Sequence, residues 1–165
     1  MYSLRVSPSG IFTSIGGESL FRDDLGPLLP GCFHVPWPEA DDSVSTMEAL
    51  FEEHADIGAV IAEPVRCTTI KMPPPTYWQR VRELCDQHGA LLVFDEIPTA
   101  LGRTGRMFCC EHTGVVPDVL VLGKGLGGGI FPMAGILVRE DLDVAANRAL
   151  GHYTHEKSPL GSAAA

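Results

Sequence analysis

The pattern that most constrains this chain is a strand, a helix and a second strand read between residues 57 and 94. Ile57-Gly58-Ala59-Val60-Ile61-Ala62 is an unbroken apolar run that stops at Glu63-Pro64. A short run without polar alternation reads as a strand buried on both faces, and so as a central strand of its sheet. After Pro73-Pro74-Pro75, the residues Trp78, Val81, Leu84 and Cys85 recur at helical spacing. Arg80, Arg82, Glu83 and Asp86 fall outside that stripe, and Gly89 is placed to close the helix. Ala90 to Phe94 is a second apolar run, ended by Asp95-Glu96. Two such strands joined by a helix pair in parallel through a right-handed crossover. The fold class expected is therefore α/β, a mostly parallel sheet flanked by helices.

The rest of the chain extends this pattern. Ser45-Thr46-Met47-Glu48 reads as a capping box, opening a short amphipathic helix with Met47, Leu50 and Phe51 on one face and an end near His54. A third strand, Val119 to Leu122, runs into Gly123-Lys124-Gly125, and a fourth, Gly135 to Val138, precedes a helix led by Asp141. The 18 glycines and 13 prolines lie between the apolar runs, which implies many short connections and no long linker. At 165 residues the chain can bury about 70% of its surface in one domain.

Charge and cysteine usage remove several function classes. Twelve Lys and Arg against 21 Asp and Glu leave a net charge of −9, the wrong sign for a protein that holds nucleic acid or anionic lipid by its electrostatics. No apolar run approaches the ~18 residues of a membrane helix. Met1-Tyr2-Ser3-Leu4-Arg5 does not open a secretory signal, so the cytoplasm is the default compartment. Five cysteines without a Cys-x-x-Cys spacing suggest buried free thiols. Neither a disulfide framework nor a metal site is expected, the adjacent pair Cys109-Cys110 being badly spaced for one ion.

In open α/β sheets the ligand lies off the carboxyl ends of the strands, and those ends carry Glu63, Asp95 and Lys124. Polar loops also place charges there by chance, so spacing alone leaves both readings open. The local sequence says more. An amine held where apolar strands end and water is partly excluded is available to condense with an aldehyde, and glycines flank Lys124 on both sides. Asp95, at the end of a neighbouring strand, is placed to keep a pyridinium nitrogen protonated, which makes pyridoxal phosphate an electron sink. Gly123 to Gly128 formally satisfies G-x-G-x-x-G, but the segment leads through Pro132 into a strand and opens no helix, as a dinucleotide site requires. The P-loop pattern fails too, with Gly125 after the lysine and Asp118 at the first glycine position.

Three stretches carry a resemblance to a known family: Phe94-Asp95-Glu96-Ile97-Pro98-Thr99-Ala100-Leu101-Gly102-Arg103-Thr104-Gly105-Arg106, then Val115-Val116-Pro117-Asp118, then Leu122 to Gly129. Together they closely resemble the signature of class III aminotransferases, pyridoxal-phosphate enzymes of fold type I. The resemblance runs from about residue 13 to 165 and fades over residues 1–12. It implies a partial pyridoxal-phosphate-binding large domain of fold type I, without the C-terminal small domain. The implied reaction is transfer of an amino group from an amino donor to a 2-oxo acid, in a family whose full-length members pair as homodimers. Lys124 would bond the aldehyde of pyridoxal 5'-phosphate and shuttle the proton, and Asp95 would pair with the ring nitrogen. Ile97 would pack on a ring face, Thr154 would bind the phosphate of a partner subunit's cofactor, and Glu63 would sit beneath the cofactor.

This chain also departs from the family. Pro98 stands where many members have a Gln holding the cofactor's phenolic oxygen, and Pro offers no donor. Thr68 replaces a second Glu of some ω-amino-acid members, and Arg5-Val6-Ser7 replaces a ring-stacking aromatic segment. With the phosphate cup and the carboxylate-binding Arg also without counterpart, the alternatives are a catalytically inactive remnant, or a lyase, decarboxylase or epimerase using the same cofactor.

Overall fold

The computed structural model describes residues 14–25, 27–38, 42–148 and 158–165. Within them the chain forms two compact units. The first is built from residues up to 61 together with 73–92, and the second from residues 62–72 together with 93 onward.

The first unit holds two α-helices. Helix α1 (Asp42–Glu53) buries Val44, Met47 and Phe51, and helix α2 (Tyr77–His88) buries Trp78, Val81, Leu84 and Cys85. Both stripes follow the helical period, and the two helices pack on each other. The start of α1 corrects the expected capping box at Ser45, which is exposed inside the helix. Val44 extends the Met47 and Phe51 stripe one turn backward, and the helix begins before Ser45. At the other end of α2, Gly89 takes φ +64 and its N–H reaches back to Asp86 O, which ends the helix as the sequence implies.

The strands are β1 (Ala59–Ala62), β2 (Leu91–Asp95), β3 (Val119–Leu122) and β4 (Gly135–Val138), in the order β1-β2-β3-β4. β2 and β3 run parallel, with Asp95 opposite Val121. β3 and β4 are antiparallel, with Leu122 opposite Gly135. The sheet is thus mixed and mostly parallel, with helices. β1 stands at an edge of the described sheet and only Val60 of its residues is buried, against the expectation of a central strand buried on both faces. An apolar run shows which faces can be buried, not the strand's place in the order.

The expected helix at Asp141 is a single 3-10 turn, Glu140–Leu142. Asp141 is occupied otherwise, because its carboxylate takes the Arg139 guanidinium through two bonds of 2.6 and 2.7 Å and so caps no helix. Arg139 also reaches Asp118 at 2.5 Å, tying the residue before β3 to the residue after β4. No helix among the described residues is long and apolar enough to cross a membrane.

Candidate active site

Glu63, Asp95, Ile97 and Lys124 all fall in the second unit. Three strands deliver them: Glu63 follows β1, Asp95 closes β2 with Ile97 two residues on, and Lys124 lies two residues after β3. Their charges act on one another. The Asp95 carboxyl pKa is raised from its ordinary value, first by burial. The N–H of Ile97 and the positive charge of Lys124 oppose this, and the negative charge of Glu63 adds to it. Asp95 Oδ1 accepts the Ile97 N–H at 3.0 Å, a bond that fixes the carboxylate against its own strand end.

Lys124 opens the 3-10 turn Lys124–Gly127 with φ +46, in the left-handed region that a side-chain-bearing residue seldom occupies. Strain of this kind persists where the surroundings enforce it. Here the neighbours are visible. A Cβ on Gly123 would lie 3.4 Å from Cγ1 and from Cγ2 of Ile97, and one on Gly125 would lie 3.4 Å from Leu101 Cδ1. The two glycines therefore do more than keep the amine accessible, since they let Ile97 and Leu101 close on the turn from either side of Lys124. As expected, the glycine run opens no α-helix. Lys124 itself is exposed among the described residues, which corrects the expectation that the strand ends alone exclude water from it. Thr154, expected at the phosphate, lies outside the described residues.

Two residues near this cluster had no role assigned from sequence. Cys67 donates its backbone N–H to Glu63 Oε2 at 3.0 Å, and its thiol also bonds Glu63. That bond, with burial and the carboxylate's charge, pushes the thiol pKa up, while Lys124 pulls it down. Cys67 and Cys32 are half-buried free thiols, where burial was expected; Cys85, Cys109 and Cys110 are buried. Glu96 is wholly buried, and its two carboxylate oxygens accept the N–H groups of Cys109 and Cys110 at 2.6 and 2.8 Å. Burial and the Glu96 charge push those thiols up to about 11 and about 12. Period two along β2 marks Glu96 in retrospect, because Leu92, Phe94 and Glu96 alternate on its buried face.

An amine, a carboxylate and an apolar side chain gathered at strand ends form a donor set that fits an aldehyde-bearing pyridine ring. The sequence model of aminotransferase class-III matches residues 12–164. The chain belongs to the class-III aminotransferase family. Among relatives, the (R)-1-hydroxy-2-aminoethylphosphonate ammonia-lyase of Vibrio splendidus is 39% identical, over 92% of this chain and 37% of its own length. A transaminase from the marine bacterium Virgibacillus superposes with a TM-score of 0.82 at 31% identity, covering 94% of this chain and 38% of its own. A thermostable (S)-enantioselective omega-transaminase from Thermomicrobium roseum gives a TM-score of 0.84 at 29% identity, over 94% of this chain and 39% of its own. The chain thus spans somewhat over a third of the length of each of these relatives.

Proposed function

We propose that the chain supplies the lysine-bearing part of a pyridoxal-phosphate-dependent transaminase, moving an amino group from an amino donor to a 2-oxo acid. The observation that carries this reading is the convergence of Lys124, Asp95 and Ile97 at the strand ends within a class-III chain. Pyridoxal phosphate, when bound, supplies an aldehyde carbon and a ring that accepts the electron pair released at a substrate Cα. The chain's own residues do the rest. Lys124 Nζ would hold the aldehyde carbon and would carry the proton taken from a substrate Cα. The Asp95 carboxylate keeps a proton on the ring nitrogen, and Ile97, braced on Gly123, presents an apolar surface to the ring face. Glu63 lies beside them as a second carboxylate, held by Cys67, and Thr154 is assigned to the phosphate of a partner subunit's cofactor. By the same family resemblance we read residues 13–165 as part of a large domain in a homodimer, and the sequence's opening and its cysteine spacing favour a cytoplasmic protein that uses no metal.

The ammonia-lyase relative supports a second reading, in which the same groups eliminate the amine. The fate of nitrogen separates the two. With a ¹⁵N-labelled amino donor, a transaminase passes the label to an added 2-oxo acid and needs that acceptor. A lyase releases labelled ammonia without it. Release of ammonia alone would contradict the transaminase reading, and failure of either product in the intact protein would contradict both.

A further inference from the structure

Glu96 is hydrogen-bonded through its N–H, its carbonyl and both carboxylate oxygens, from a position without solvent. Its N–H donates to Val121 O at 3.0 Å, across to β3 and three residues before Lys124. Its carbonyl accepts from Thr99 and Ala100 N–H at 3.1 and 3.0 Å, coiling the chain tightly after β2. Its carboxylate takes Cys109 and Cys110 N–H at the start of helix α3 (Cys110–Thr113), closing the loop that begins at Ile97. A buried carboxylate is costly unless each oxygen is bonded, and charge-assisted bonds of this length are the strong kind. Such a group pins what it touches. What it touches is both ends of the segment that carries Ile97, whose N–H holds Asp95.

We infer that Glu96 is a positioning residue for Asp95: its carboxylate latches the 97–108 loop shut and so keeps the Ile97 N–H on Asp95 Oδ1. The value of that bond to catalysis rests on the role proposed for Asp95, but the bond itself can be tested without cofactor. If the latch opens, Asp95 loses a bond that favours its ionised form, so its titration midpoint moves up. The groups acting on Asp95 are Glu63, Lys124 and the Ile97 N–H. Removing a neighbouring negative charge would move it the other way, so the direction separates latch from charge.

The experiment follows the ¹³C signal of the Asp95 carboxyl against pH in cofactor-free protein. Glu96→Gln, which puts an amide nitrogen against a backbone donor, is compared with Val81→Ala in α2, a cavity variant of the other unit. The midpoint is expected to rise in Glu96→Gln and to stay in place in Val81→Ala at comparable stability loss. Glu96→Asp keeps the charge but withdraws it by one methylene, is expected to shift the midpoint in the same direction, and serves alone if the Gln variant fails to fold. A midpoint unmoved or lowered in the Glu96 variants would overturn the proposal, whatever the outcome for pyridoxal phosphate.

Discussion

At Lys124 the backbone and the side chain want different things. The amine belongs at the strand end, while φ +46 suits glycine better than lysine. Lys124→Gly is therefore expected to be more stable than Lys124→Ala by about 1 kcal/mol, read by denaturant unfolding, with both variants losing all lysine chemistry. Equal stability would show that the turn is not strained. Asp95 carries a related conflict. Its pKa is raised in the folded state, so the folded chain binds the proton more tightly, and stability falls as pH rises through the window above the unfolded value of 3.8. Asp95→Asn should flatten that fall and leave folding at neutral pH no weaker, while any cofactor chemistry drops by orders of magnitude. Equal loss of folding and chemistry would make Asp95 a structural residue. Lys124 and Asp95 were legible because apolar runs end at them. Cys67 was not, since its role comes from a turn that brings it back onto Glu63, where Arg66 N–H bonds Lys71 O and Ile70 takes φ +52.

Helix α2 and the four strands were readable from period and punctuation, and their ends fall within two residues of expectation. The errors lie where side chains overrule local signals: Val44 pulls α1 back by a turn, and Arg139 claims the carboxylate that would have led a helix. One close approach has no sequence signal at all. Helix α4 (Pro159–Ala164) packs against the Lys124–Gly127 turn, and a Cβ on Gly161 would lie 2.8 Å from Phe131 Cε1 and 3.1 Å from Met133 Sδ. Gly161→Ala is expected to cost about 1–2 kcal/mol through this crowding, measured by thermal or denaturant unfolding. Gly17→Ala, with nothing within 4 Å of the added carbon, is the control and should cost much less.

For the molecule as a whole, the described sheet ends in β4, whose Ile136, Leu137 and Val138 are 62%, 50% and 41% exposed. An apolar strand with one free edge invites pairing with another chain. This chain in solution is expected to self-associate as its concentration rises, and Leu137→Lys to reduce that, by light scattering. An unchanged profile would mean that this edge is not the adhesive surface. The family match over residues 12–164 shows how far the signature in the sequence reached, and the strand ends show why: the residues proposed to do the chemistry interrupt apolar runs and cannot hide in them. The most direct test of the whole account is covalent. Protein incubated with pyridoxal phosphate, reduced with borohydride and digested should carry the pyridoxyl mass on the peptide containing Lys124, and Lys124→Ala should carry none there. Label on Lys71 or Lys157 in place of Lys124 would contradict the account.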